Sequence, residues 1–168
     1  GVIVFYNPLC YNGNNLKQNI YKMTNYDIMW KGKRGKCCAF KLTFSKNMHD
    51  RILLFIPGYN CEKQIGRVLN QLSENILKYI QETIFVDNCS KDNTVKVVKK
   101  YKIEHPNVNL HILRNDENYN LGGSHKVAFD YAIINNFDYV IVLHGDDQGN
   151  INDIQSILES KEYRKYDC

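Results

Sequence analysis

Phe137-Asp-Tyr-Val-Ile-Val-Leu-His-Gly-Asp-Asp-Gln148 runs from a buried strand straight into two carboxylates. Tyr139 to Leu143 is apolar, β-branched and uninterrupted, which suits a parallel strand covered on both faces. His144, Gly145, Asp146 and Asp147 follow at once, so both acids sit at the carboxyl end of the strand, where open α/β sheets bind ligands. Hard oxygen ligands beside a glycine suit a divalent ion carrying a diphosphate. The same residues also suit an acidic turn closing a core strand, and the strands upstream favour the first reading.

From Arg51 onward, strand and helix patterns alternate. Ile52 to Ile56 reads as a buried strand ended by Pro57 and Gly58, and Ile65, Val68, Leu69, Leu72 and Ile76 recur at the spacing of one helix. Thr83 to Val86 is the next strand. Its polar loop, Asp87 to Asn93, offers Asp92 or Asn93 as the cap of a helix reaching about Tyr101. Val108, Leu110 and Ile112 alternate as in a strand with a more exposed face. Arg114 to Gly123 reads as a long loop, and the following helix turns Val127, Ala128, Tyr131 and Ala132 inward. After Gln148, Asn152 or Asp153 can cap a last helix with Ile154, Ile157 and Leu158 inside. This alternation predicts a parallel sheet with right-handed crossovers and helices on both faces.

The 168 residues fit one domain with an extension. Apolar residues make up 43% and charged residues 24%, and no apolar run approaches a membrane span. The net charge of +4 is spread out, with its densest cluster at Lys31 to Lys36, so no nucleic-acid surface is indicated. The six cysteines show no Cys-x-x-Cys spacing, which argues against zinc; with no leader pattern, they point to a reducing, cytoplasmic setting. Residues 1–50 read as an extension, β-rich if Val2 to Tyr6 and Cys37 to Phe44 are strands, with a short helix at Leu16 to Met23. A faint echo of Val2 to Pro8 in Leu53 to Asn60 reads as a chance repeat rather than a duplication.

In a parallel sheet, the loops after the strands share one edge. Pro57 to Asn60, Asp87 to Ser90, Arg114 to Lys126 and His144 to Gln148 therefore wall one crevice. Tyr59 offers an aromatic face, Asp87 an acceptor, and Asn88 and Ser90 smaller polar contacts, which suit a nucleoside. Gly122 and Gly123 precede a helix amino end, with Lys126 and Arg114 close by, which suits a diphosphate. Asp146 can hold a bridging metal. No P-loop or dinucleotide fingerprint follows the first strand.

Ile56-Pro-Gly-Tyr-Asn resembles the opening Pro-x-Tyr-Asn of the inverting family 2 glycosyltransferases of GT-A fold. Val86-Asp-Asn-Cys-Ser-Lys-Asp-Asn-Thr resembles their Val-Asp-Asp-Gly-Ser-x-Asp-x-Thr loop. Asn118 to Ala132 lies without gaps on Asn-x-Gly-x-Gly-x-Ala and its helix, and His144-Gly-Asp-Asp-Gln on Asp-x-Asp-x-Gln. The terminal Gln148 is similar to the branch that acts on polyprenyl phosphates, including dolichyl-phosphate mannose synthases. The resemblance covers about residues 51–158. It implies that residues 51–168 are the nucleotide-sugar-binding part of a GT-A domain, cut short after the metal motif. It further implies a UDP- or GDP-sugar donor contacted by Pro57, Tyr59, Asn60, Asp87, Asn88, Ser90, Arg114, Gly122, Gly123, Lys126 and Asp146. Mg²⁺ or Mn²⁺ would be held by Asp146 and Gln148, with His144 as a neutral ligand, and a lipid-linked or polysaccharide acceptor would be met at the cytoplasmic face of a membrane.

Three departures stand out. His144 replaces the first Asp of the motif, Cys61 stands where that branch often has Glu, and the chain stops soon after the metal motif, before the half that supplies the catalytic base. No base is assigned. The alternative reading is a non-catalytic nucleotide-sugar-binding or assembly module. A nucleotidyltransferase ranks third, because Pro57-Gly-Tyr-Asn is not the basic glycine-rich loop it would need. The sequence carries no signal for oligomeric state.

Overall fold

The computed structural model describes the backbone of residues 4–6 and the chain from 50 to 165. Its strands are β1 (Val4–Tyr6), β2 (Ile52–Gly58), β3 (Glu82–Asp87), β4 (Leu110–Arg114) and β5 (Tyr139–Val142). Its α-helices are α1 (Ile65–Leu69), α2 (Glu74–Leu77), α3 (Thr94–Glu104), α4 (Asn120–Ile134) and α5 (Gln155–Ser160). The expected strand at Cys37 to Phe44, the helix at Leu16 to Met23 and the basic cluster at Lys31 to Lys36 lie outside the described residues, as do Cys10, Cys37, Cys38 and Cys168.

The sheet runs β1-β5-β2-β3-β4. Strands β2 to β5 are mutually parallel, and β1 pairs antiparallel with the outer edge of β5, Val4 opposite Val142. All seven residues of β2 are buried, and their side chains divide by parity as strand geometry requires. Ile52, Leu54 and Ile56 join a core with residues of α1, α3 and α5, while Leu53 and Phe55 join a second core with Val127, Ala128 and Ala132 of α4. Helices therefore cover both faces. The chain passes from β2 outward to β3 and β4, then returns along α4 to place β5 on the other side of β2. This reversal leaves a crevice beyond the carboxyl ends of β2 and β5.

Several expected boundaries shift. The single helix predicted over Ile65 to Ile76 is two short ones, although its five periodic residues are all buried. Ser73 adopts an extended conformation before Glu74, and this residue type favours restarting a helix over continuing one. Strand β4 begins at Leu110, and Val108 is buried in the turn before it. Asn93 holds the N-cap position of α3 without a side-chain bond, and the Asp92 carboxylate does the capping, its Oδ1 accepting from the Thr94 N–H at 3.0 Å. The last helix is preceded by a 3₁₀ turn, Ile151–Ile154, capped by Asn150 rather than Asn152 or Asp153. Gly122 and Gly123 do not precede α4 but lie in its first turn. The helix starts early because side chains from elsewhere meet its first amides: Asn88 Oδ1 accepts from Tyr119 N at 3.0 Å and Asn118 Oδ1 from Asn120 N at 2.8 Å.

Candidate functional site

A cavity of about 320 Å³ opens at the reversal point, lined by the ends of β2 and β5, by Asn88 after β3 and by the start of α4. Of the residues predicted from sequence, Pro57, Tyr59, Asn88, His144 and Asp146 line it. Asn60, Asp87, Ser90, Arg114, Gly122, Gly123, Lys126 and Gln148 do not.

Two adjacent carboxylates are separated in role by one backbone angle. Asp147 has φ 65°, in the left-handed region, and its side chain turns back to α1 and the turn after it, where Arg67 Nε lies 2.6 Å from Oδ2 and Gln71 Nε2 donates to Oδ1 at 3.3 Å. Asp146 is exposed at the cavity and accepts one backbone bond, from Gln148 N at 3.3 Å. Gln71 also donates to the Gly149 carbonyl at 3.3 Å and accepts from Ile151 N at 3.0 Å, so one side chain holds the segment after the motif on both sides. Gly145 makes the close approach expected of it: its N–H donates to the Pro57 carbonyl at 3.0 Å. A Cβ there would lie 2.8 Å from that same oxygen.

Asp87 is expected from sequence to contact a nucleoside, but its side chain is wholly buried. Its carboxylate accepts from Ser90 N at 3.1 Å and faces Arg114 Nε at 3.1 Å, and Arg114 also donates to the Ser90 carbonyl at 2.9 Å. Burial pushes the Asp87 carboxyl up; Ser90 and then Arg114 pull it back in part. Asp87 and Arg114 thus brace the loop behind the cavity wall. Asn60 and Ser90 are stitches of the same kind: Asn60 N donates to Ser90 Oγ at 2.9 Å, and Asn60 Oδ1 accepts from Lys91 N at 2.9 Å.

The wall next to this brace is a ladder of amides. Asn88 Oδ1 accepts from Asn115 Nδ2 at 2.9 Å as well as from Tyr119 N, while Asn88 Nδ2 donates to Asn118 Oδ1 at 2.7 Å. Because the Tyr119 and Asn120 amides can only donate, the direction of every bond in the ladder is fixed, and Asn88 and Asn118 can offer only N–H groups to a ligand. Sequence reasoning placed Asn118, Asn120, Leu121 and Ser124 within a wall without singling them out, and missed Arg67 and Gln71. Nothing local to them points to residue 147: Arg67 is in α1 and Gln71 in the turn after it. Cys61 also lines the cavity; burial pushes its thiol up to about 11, partly offset by the Thr94 hydroxyl. Lys126 is exposed on α4.

The sequence profile of glycosyl transferase family 2 matches residues 54–168. The chain belongs to this family. Among its family 2 relatives, a dolichyl-phosphate beta-glucosyltransferase from Dictyostelium discoideum is 33% identical over 120 residues, covering 66% of this chain and 34% of that protein. A UDP-N-acetylglucosamine–dolichyl-phosphate N-acetylglucosaminyltransferase from Methanococcus voltae is 30% identical over 132 residues, covering 69% and 51%. The chain therefore spans about a third to a half of the length of these relatives. Crystallised S. aureus TarS superposes with a TM-score of 0.54 at 25% identity, over 68% of this chain and 33% of that one. A Pyrobaculum calidifontis mannosyltransferase in complex with GDP-Man and Mn²⁺ superposes with a TM-score of 0.52 at 18% identity, over 65% and 32%; at that identity the likeness concerns the fold alone. The sheet is the GT-A sheet expected from sequence, matched over about two thirds of the chain.

Proposed function

We propose that this chain is the donor-binding part of an inverting, metal-dependent glycosyltransferase that takes a UDP- or GDP-sugar and serves a lipid-linked acceptor at the cytoplasmic face of a membrane. The observation that carries this reading is the division of labour in the motif after β5, where Asp147 is spent on Arg67 while Asp146 stands exposed at the cavity. One protein carboxylate completed by substrate phosphates is the manner in which Mg²⁺ is commonly held, so Asp146 fits the ion, with Gln148 exposed two residues on as a further oxygen donor. Among the described residues no three His, Cys, Asp or Glu side chains gather round one point.

When bound, the ion supplies charge stabilisation to the departing nucleoside diphosphate. The chain's own residues do the rest of the binding. Tyr59, 46% exposed at the cavity, offers its ring to the base, and the amide ladder of Asn88 and Asn118 donates to base or ribose oxygens. The amino end of α4, which lines the cavity, turns its positive end toward the diphosphate. Held in this way, the sugar presents its anomeric carbon to an acceptor hydroxyl or phosphate arriving from the side opposite the diphosphate. The dolichyl-phosphate relatives support the lipid-linked acceptor. No helix among the described residues is long and apolar enough to cross a membrane.

Calorimetric titration with UDP, GDP and their sugars, with and without Mn²⁺, tests the reading. Metal-dependent binding that disappears in Asp146→Ala and survives in Asp147→Asn is the expected result. Absence of binding by any nucleotide, with or without Mn²⁺, would overturn it.

A further inference from the structure

Helix α3 divides sharply into two faces. Val95, Val98 and Tyr101 enter the core shared with β2 and α1. Lys96, Lys99, Lys100 and Ile103, at the i, i+3, i+4 and i+7 positions, stand on the opposite side, and all four are exposed. Ile103 is 79% exposed, the most of any large apolar side chain among the described residues, and helical spacing sets it between Lys96 and Lys99 in angle. Residues 91–104 hold five lysines and two acids. Asp92 is spent on the helix end, accepting from the Thr94 and Glu62 amides at 3.0 and 3.1 Å, and the Glu62 carboxylate beside it is taken up by Asn93. Glu104 meets Lys100 at 3.8 Å in an exposed pair, which offsets little of the positive charge. The basic run begins at the rim of the crevice. Lys91 is exposed on the loop that carries Asn88 of the cavity wall, and its amide donates to Asn60 Oδ1 at 2.9 Å.

We infer that the outer face of α3 docks the chain on an anionic lipid surface, with Lys96, Lys99 and Lys100 at the headgroups and Ile103 entering the boundary beneath them. The inference rests on the membrane clause of the reading above and assigns it a surface. A negatively charged leaflet attracts lysines that come within about a Debye length, ~8 Å at physiological salt. Their long stems let the ammonium groups reach headgroups while the helix lies in the plane of the interface. Ile103 decides between anionic surfaces: a lipid boundary removes it from water, whereas a nucleic-acid backbone binds through its phosphates and offers an isoleucine nothing. One short helix makes a shallow, reversible contact. Because α3 starts from the loop at the cavity rim, a membrane lying along it keeps that rim at the surface, within reach of an acceptor borne on a lipid.

Vesicles of phosphatidylcholine with roughly 30% phosphatidylserine are the probe, with pure phosphatidylcholine as the neutral control, and co-sedimentation of the full chain without nucleotide is the readout. The expected result is partitioning onto the anionic vesicles alone, falling as salt is raised. Lys96→Gln with Lys100→Gln should weaken it about thirtyfold, from about 1 kcal/mol for each lysine near such a surface. Ile103→Ser, which leaves the charge intact, should weaken it several-fold. Lys161→Gln with Lys165→Gln removes the same charge from an exposed stretch elsewhere and should leave most of the binding in place. Absence of binding to the anionic vesicles, equal loss in both double variants, or binding indifferent to Ile103 and matched by a DNA duplex would each overturn the proposal. Calorimetry with UDP and GDP separates its failure from that of the donor site. Nucleotide binding by a chain that ignores vesicles removes the docking surface and leaves the donor site standing. Vesicle binding through α3 with no nucleotide binding under any condition removes the donor site instead.

Discussion

Asp87 has no exposed surface, yet its nearest cation, Arg114 Nε, lies 3.1 Å away on a side chain that retains 30% of its own exposure. Desolvation raises the carboxyl and the guanidinium lowers it, and desolvation prevails. A carboxyl raised in the folded state binds its proton more tightly there than in the unfolded chain. Its contribution therefore favours folding most at acid pH and declines as pH rises through the unfolded and then the folded value. Arg114→Met removes the opposing cation and should destabilise the chain at neutral pH by about 3 kcal/mol, the low end for a broken buried pair. The deficit should shrink on acidification as Asp87 takes up a proton. Urea midpoints of parent and variant measured from pH 4 to 8 check this, and a deficit independent of pH would deny the pairing its role. Gly145 makes a sharper geometric demand. The atom that a new Cβ would meet is a backbone oxygen of β2, which cannot swing aside, so Gly145→Ala should cost about 1–3 kcal/mol by overpacking. It should also weaken nucleotide binding more than a neutral surface change does.

At the level of elements, the turn after α1 is tied to the segment after β5 by Gln71 through three hydrogen bonds. Gln71→Ala leaves the Ile151 amide and the Gly149 carbonyl without that partner and should cost about 1–3 kcal/mol. Hydrogen exchange at Ile151 should speed up with it; a variant within a few tenths of a kcal/mol of the parent would show that the segment is held by other contacts. The strands were readable from sequence because a parallel strand buried on both faces leaves an unbroken apolar run, as Ile52 to Ile56 and Tyr139 to Leu143 do. The walls of the crevice were readable for the same reason, since strand ends fix where loops emerge. What was not readable depended on distant partners. The amide that opens α4, that of Tyr119, is received by Asn88 from the loop after β3, and Asp87 is held behind the cavity by Arg114 of the neighbouring strand. Two left-handed residues show the limit from another side. Cys89 has φ 65° and Asn120 φ 58°, and both stand where the resembling motifs carry glycine. The left-handed backbone is present here without the glycine that would advertise it in the sequence.

On the scale of the whole molecule, β1 closes the outer edge of β5 with three residues, Val4 to Tyr6. An unpaired parallel edge invites pairing with another chain. Removal of residues 1–6 should therefore leave the fold of residues 50–165 in place and produce concentration-dependent association, visible by light scattering on a sizing column. A deletion variant that stays at the mass of the parent across the concentration range would show that β5 is protected in another way.

The reversal between β4 and β5 also has a kinetic side. Strands β2, β3 and β4 are consecutive, and each can pair as soon as the one before it exists. The wall bearing His144 and Asp146 is different: β5 pairs with β2 across more than eighty residues, Ile52 opposite Tyr139. Long-range parallel pairing is slow because the intervening loop must close before any contact compensates for it. As the chain leaves a ribosome, the amide ladder and the aromatic face therefore form before the wall bearing His144 and Asp146 has been made. If the proposed donor site holds, nucleotide affinity should appear abruptly with the docking of β5, as a late witness of folding and not a template for it.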